Sequence, residues 1–571
     1  MNLDPQGMAD AEAQRTPVLM SKGLWLLLLV LFTILWFAQL DIRHLIPSDE
    51  GRYAEMAREM LHTGDWITPR YNGYKYFEKP PLQTWLNALT FAVFGVGDWQ
   101  ARLWTALSGF VTVLMVGATG RRVFNPVTGL LAALALLASP YWNLLGHFNT
   151  LDMGLSCMMA ITLCALLLAQ RPGLASRTVR GWMLVCWASM ALAVLSKGLI
   201  GLALPGAVLI LYTLLARDWA LWKRLYLISG IVLFLVIAAP WFLLVQHKNP
   251  EFFDFFFINE HVRRFLNPDH HRTGPLYYFV PVVLVGFLPW ISLLPGSTLR
   301  ALRAPRQPNG FSPAILLVTW ALLIFVFFSV SESKLVSYVL PIAPAVALLL
   351  GLGLTNLGAV QWRRHLAGYA VLLVAGCFGA WFLTRAGDAR TPNLLYREYM
   401  VWVYVALAIL LIGVWLSARV AASRHAAAPQ RAVVVFAAAW FLAVSVAGNA
   451  HEIFGKQSSG VSLVPAVKAA MATLPPNTPF YSVGVLDHTM PFYLDHTMIM
   501  VAHPDELDFG IRVEPQKWLP TFDAWIERWN SDPHALALMP PDIYKRMLAR
   551  GVPMQLIAAD ARRVIVEKSG S

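Results

Sequence analysis

Two clusters of ionisable residues interrupt a chain that is otherwise largely apolar. The longer is SDEGRYAEMAREMLHTGDWITPRYNGYKYFEKPPLQTW, from Ser48 to Trp85, and the shorter is HFNTLD, which ends at Asp152. Carboxylates at Asp49, Glu50, Glu78 and Asp152 can hold a sugar or a metal, or take a proton from a nucleophile. Cations at Arg52, Lys79, Lys197 and Lys334 can stabilise charge that grows on a departing phosphate. Tyr76 and Tyr338 add hydroxyl donors on the same segments. Each residue also has a plainer reading. Asp49 and Asp152 stand where helix N-caps would stand, Arg52 is one turn from Asp49 and can form an ordinary ion pair, and Lys197 can extend to lipid headgroups. Their company favours chemistry, because a carboxylate at membrane depth is costly without a partner or a task.

The elements that must position these residues are membrane helices. Of 571 residues, 57% are hydrophobic and only 14% charged, against roughly a quarter charged in soluble domains. Apolar runs of spanning length begin near Leu24, Ala101, Val127, Asp152, Gly181, Gly198, Tyr226, Pro275, Pro313, Leu335, Leu366, Val401 and Ala432, thirteen in all. A further run, Pro81–Phe94, is shorter than the roughly 20 residues a helix needs to cross. Charge decides its place. If it lies along the interface, every basic short loop falls on one side: Arg121-Arg122, Arg171/Arg177/Arg180, Arg217/Lys223/Arg224, Arg300/Arg303/Arg306, Arg363-Arg364 and Arg419/Arg424/Arg431, with Asp218 the single acid among them. Those loops are therefore expected to be cytoplasmic. This also accounts for the net charge of +12, and no nucleic-acid partner is expected. The polar segments, in loops 41–100 and 246–274 and near Ser196-Lys197 and Ser331–Lys334, then share the opposite face, periplasmic in a bacterium.

The 246–274 loop carries EFFDFFFINEHVRRFLNPDHH, which suits a helix with its aromatic edge in lipid. Arg263-Arg264 can hold a lipid phosphate in bidentate fashion. His261, His270 and His271 could join Glu78 around a divalent cation, a reading without support from ligand spacing; Glu78 and His261 are the ligands it would use. Cys157, Cys164, Cys186 and Cys377 all lie in apolar runs, so no disulfide is expected. After the transmembrane part, 1–450, hydropathy falls. In 451–571, strand-like runs (Phe480–Val485, Met498–Val501, Ala535–Met539, Val564–Val566) alternate with amphipathic stretches (Leu463–Leu474, Trp518–Trp529, Pro541–Leu548). That pattern is expected of a small periplasmic α/β domain. No nucleotide-binding glycine fingerprint opens it. The fold class is thus an all-α polytopic membrane protein of about thirteen spans with a C-terminal α/β domain.

The Ser48–Trp85 stretch resembles the GT-C membrane glycosyltransferases of the protein mannosyltransferase-like superfamily, and within them the lipid A aminoarabinose transferases. The resemblance rests on Asp49-Glu50, Arg52–Glu55, Arg58–Leu61, Gly64–Trp66 and Tyr76–Pro80. It implies transfer of 4-amino-4-deoxy-L-arabinose from undecaprenyl phosphate to lipid A phosphate in the bacterial inner membrane, giving resistance to polymyxin and cationic peptides. It also implies that Asp49 and Asp152 are the essential acids, and that Lys79 and Arg264 hold the donor phosphate. Glu50, Arg52, Tyr76, Glu78, Lys197, Lys334 and Tyr338 are expected to complete the substrate site. The partners implied are the undecaprenyl phosphate-linked donor, lipid A and the bilayer, and the chain reads as a monomer. No cofactor is required beyond the divalent cation considered above.

Two readings compete. A protein O-mannosyltransferase of the same fold would need a general base for a hydroxyl acceptor. A lipid-linked sugar transporter would place its polar site near the bilayer midplane rather than at one mouth.

Overall fold

The protein is described by a computed structural model, covering residues 21–263 and 274–568. Each of the thirteen expected runs is helical. Among the described residues, nine helices are long and apolar enough to cross a membrane. The other four runs are the shorter helices Lys22–Phe37, Pro126–Leu137 and Ile200–Ala216, and a segment that passes from Phe279–Gly286 through turns into Leu294–Leu302. The chain is a multi-pass membrane protein. Helix starts follow local chemistry. The Asn125 side chain accepts from Thr128 N–H at 2.9 Å ahead of Pro126, and Ser312 does the same for Ile315 ahead of Pro313. In both cases a proline occupies the position whose missing N–H costs nothing.

At the centre of the bundle lies Leu151–Ala169, buried along nearly its whole length, with Asp152 in its first turn. Helices cross closely where side chains are small, since dispersion rather than hydrophobic transfer drives association in lipid. A Cβ built on Gly120 would lie 2.7 Å from Gly129 Cα, and one on Gly351 would lie 2.7 Å from Ala132 Cβ. Helix Leu82–Phe94 buries Gln83, Thr84 and Asn87 and exposes Leu89, Val93 and Phe94, a division suited to the interface.

A short hairpin, β1 (Arg70–Tyr71) with β2 (Tyr74–Lys75), follows helix Asp49–Thr63. The C-terminal domain carries β3 (Phe480–Val483), β4 (Ile499–Val501), β5 (Trp518–Leu519), β6 (Leu536–Met539), β7 (Met554–Ala559) and β8 (Val564–Lys568). They form one sheet in the order β5-β4-β3-β6-β8-β7, parallel from β5 to β6 and antiparallel through β8 and β7. Two expectations change. The Trp518–Trp529 stretch divides into β5 and a helix at Phe522–Ser531, and β7 adds a strand at the sheet edge.

The domain does not hang free. Tyr53, Met56, Tyr71, Tyr74, Tyr76 and Leu151 share one apolar cluster with Leu486, Met500, Leu507 and Ile511. Asn72 exchanges two hydrogen bonds with the Met498 backbone, at 2.9 and 2.7 Å. Arg70 pairs with Glu514 at 2.9 Å, and Phe509 stacks on Phe255 at 3.9 Å. Helix Asp49–Thr63 is caught between bundle and domain. The sequence suggests one apolar face, yet every residue from Glu50 to Met60 is buried, so its charged side chains must find partners inside the protein.

Candidate active site

Asp49 and Glu50 are neighbours with opposite surroundings. Glu50 is 2% exposed and takes two hydrogen bonds from Arg102, at 2.7 and 2.9 Å. It also accepts from the Asn149 and Ile46 backbone N–H groups. Burial alone would push this carboxyl up; Arg102's charge and hydrogen bonds outweigh burial and hold it below the usual value. Arg102 donates further to the carbonyls of Leu40, Arg43 and His44. Asn149 Oδ1 in turn accepts from Gln83 and Asn87, at 2.7 and 3.0 Å. Glu50, expected to bind substrate, therefore has its oxygens taken up inside the protein; it locks the HFNTLD turn against the first loop. Arg102, a cation inside an apolar run, is the signal that could have revealed this.

Asp152 is fixed by Lys197, which donates to Oδ1, and by Ser337, whose hydroxyl donates to Oδ2 at 2.7 Å. The Lys197 ammonium lies 4.5 Å from the centre of the Tyr338 ring. Three helical segments far apart in sequence so converge on one carboxylate at the mouth of the bundle. Asp49 is within Coulombic reach of Lys197. It is also 36% exposed and pairs with Arg52 at 3.4 Å. Ser48 precedes the helix but makes no capping hydrogen bond to it.

On the far side of Asp49, Arg52 binds Glu506 at 3.0 Å and donates to the Tyr76 hydroxyl at 3.3 Å; Tyr76 donates on to Glu506 at 3.1 Å. Tyr53 lies within reach of the charges of Asp49, Glu78 and Glu506 together. Burial, with Glu78 and Asp505 nearby, lifts Glu506 to about 7 against the pull of Arg52 and Tyr76. Sequence reasoning missed Glu506 and Ser337. Nothing in the local pattern around either points to a partner so distant in the chain.

Lys79 Nζ donates to the Glu78 carbonyl at 2.9 Å. Lys334, expected among the substrate-binding cations, is instead 5% exposed and donates to the carbonyls of Phe328 and Ser329, at 3.0 and 2.5 Å. It terminates helix Pro313–Val330 by satisfying its last acceptors. Arg264, His270 and His271 lie outside the described residues, as do the side chains of Arg263 and His261. Among the described residues, no group of three or more His, Cys, Asp or Glu is placed to hold a metal. The arrangement thus offers a part-open carboxylate between a lysine-clamped acid and a tyrosine–arginine wall. That geometry suits a small polar ring bearing hydroxyls and a cation.

Known proteins resemble this chain over most of its length. Residues 463–568 match the aminoarabinose transferase C-terminal domain family, and residues 78–243 match the dolichyl-phosphate-mannose-protein mannosyltransferase family. The undecaprenyl phosphate-alpha-4-amino-4-deoxy-L-arabinose arabinosyl transferase of Edwardsiella ictaluri is 31% identical over 68% of this chain and 70% of its own length. One from Pseudomonas fluorescens is 33% identical over 67% and 69%. The crystal structure of ArnT from Cupriavidus metallidurans bound to undecaprenyl phosphate superposes with a TM-score of 0.91 at 43% identity, covering 96% of this chain and 98% of that one. Its apo form gives 0.89 at 42% identity, covering 95% and 98%.

Proposed function

The chain belongs to the undecaprenyl phosphate-4-amino-4-deoxy-L-arabinose arabinosyl transferase family, and from that premise we propose how its residues divide the reaction. It is a membrane glycosyltransferase that takes aminoarabinose from undecaprenyl phosphate. The acceptor is a phosphate of lipid A, at the periplasmic face of the inner membrane. An acceptor phosphate oxygen attacks the anomeric carbon, the bond from that carbon to the donor phosphate breaks, and undecaprenyl phosphate leaves. Both phosphates are already ionised at neutral pH, so no general base is needed. Lys79 and Arg264 balance the charge that grows on the leaving phosphate. Asp49 holds the cationic 4-amino group or a ring hydroxyl, and Asp152, through Lys197, orients the sugar beneath Tyr338.

The observation that carries this reading is the clamp of Lys197 and Ser337 on buried Asp152, within Coulombic reach of the part-open Asp49. Family membership displaces the transporter reading, and the match of residues 463–568 to the aminoarabinose transferase C-terminal domain favours aminoarabinose over the mannosyl alternative. Adding an amino sugar makes the outer surface less anionic, which weakens attraction of polymyxin and other cationic peptides. The test uses the purified protein in vesicles with the aminoarabinose donor and either lipid A or lipid A stripped of phosphate. A mass gain of one aminopentose on the first substrate alone is expected. An equal gain on the dephosphorylated lipid would sink the proposed acceptor.

A further inference from the structure

An open apolar groove in the bundle lies away from Asp49. It runs between helix Lys22–Phe37 and helices Asp98–Val123, Pro126–Leu137 and Ala428–Ala450, and has a volume of about 1280 Å³. Trp25, Phe32, Leu130 and Phe441 are among its walls, and Arg121 and Arg122 stand at one end. The first helix is anchored mainly at its other end. There Trp36 Nε1 donates to the Ala106 carbonyl at 2.9 Å, and the Trp36 ring fills the space that a Cβ on Gly109 or Gly146 would occupy, 2.8 Å away in each case. Phe32 stacks on Phe110 and meets Phe441 edge-on. Below that level the helix stands off, and Leu26, Leu27, Leu29 and Leu31 remain exposed in the protein alone.

The charge at the end of the groove is one-sided. Arg121 and Arg122 close helix Asp98–Val123 and are exposed. Among the described residues no carboxylate pairs with either. Arg171 adds a third cation: its own burial and the charge of Arg122 both act against its protonated form. Three guanidinium groups with no carboxylate partner among the described residues, two of them lining an apolar slot that opens to the bilayer, are complementary to one kind of molecule: an amphiphile with a phosphate head.

We propose that this groove is a binding site for an anionic phospholipid of the leaflet remote from Asp49, its acyl chains lying between the first helix and the bundle and its phosphate held by Arg121 and Arg122. The proposal goes beyond the transfer reaction and does not depend on which sugar or acceptor is used. It gives the loosely packed first helix a cover. That helix leads through Arg43 and His44, whose carbonyls are held by Arg102, into Asp49, so occupation of the groove also steadies the active loop.

The test is native mass spectrometry and thermal melting of the full chain in mild detergent, with phosphatidylglycerol, cardiolipin or phosphatidylethanolamine added. Wild type is expected to retain and be stabilised by the two anionic lipids and not by phosphatidylethanolamine. The double variant Arg121→Gln/Arg122→Gln should bind them about 30-fold more weakly and lose the stabilisation. The control Arg363→Gln/Arg364→Gln, with the same change in charge elsewhere, should behave as wild type. Equal stabilisation by phosphatidylethanolamine, or equal loss in both double variants, would overturn the proposal. So would a gain of bound lipid on deletion of residues 1–20, since that segment would then be the natural occupant. If the Arg121/Arg122 variant fails to fold, the lipid preference of the wild type and the deletion still decide.

Discussion

Asp49 and Glu50 differ by one methylene and one position, yet the protein uses them in opposite ways. Glu50 is sealed with Arg102 and has its oxygens engaged by donors of the protein itself. Asp49 keeps a third of its side-chain surface open and shares Arg52 with Glu506. The same contrast separates Lys334, spent on helix carbonyls, from Lys197, which faces Asp152. Residue type says what chemistry is available; saturation of the group by its neighbours says whether any is left for a substrate.

The comparison can be broken most forcefully at Asp49. Asp49→Asn is expected to lower aminoarabinose transfer roughly a hundredfold or more while melting close to wild type, because its pair with Arg52 is long, at 3.4 Å, and part-exposed. Glu50→Gln should fail in the other way. It leaves the buried Arg102 without its counter-charge, a loss of about 3–5 kcal/mol, read as a fall in melting temperature and in the yield of folded protein. Gly51→Ala sharpens the same division. A Cβ there would meet the His488 carbonyl oxygen at 2.1 Å, so the C-terminal domain must shift, at a cost of about 1–3 kcal/mol. Limited proteolysis between bundle and domain should then accelerate.

A pH test follows from Glu506. Its folded value near 7 lies above its ordinary 4.5, so the folded state binds this proton more tightly than the unfolded state. Its contribution to stability is therefore full at acidic pH and declines as pH rises from about 4.5 through 7. Glu506→Gln should remove that slope from the melting profile. An unchanged slope would mean that burial does not lift Glu506 above its ordinary value. The smallest effect belongs to Arg512→Ala. Its pair with Asp508 spans 2.9 Å, but the two side chains are 66% and 57% exposed, so a change below about 0.5 kcal/mol in denaturant unfolding is expected.

Much of this architecture was legible in the chain because its signals are local. Apolar length marks the helices, and short β-rich runs mark the sheet. The acids were visible for the same reason: Asp152 interrupts an apolar run. What stayed hidden depends on contacts between remote segments. Ser337 reaches Asp152 from 185 positions away, and Glu506 reaches Tyr76 from 430. The single-faced helix at Asp49–Thr63 misled because its charged face meets a second domain instead of water. Lys334 misled because a lysine beside a helix end serves carbonyls and phosphates with the same three donors.

The most direct measurement compares Asp49→Asn with Glu50→Gln at equal concentrations of folded protein, following the mass of lipid A in vesicles supplied with the aminoarabinose donor. No aminopentose gain for the first variant, and turnover per folded molecule close to wild type for the second, is the expected result. Full turnover by a folded Asp49→Asn protein would contradict the division of labour between the two acids.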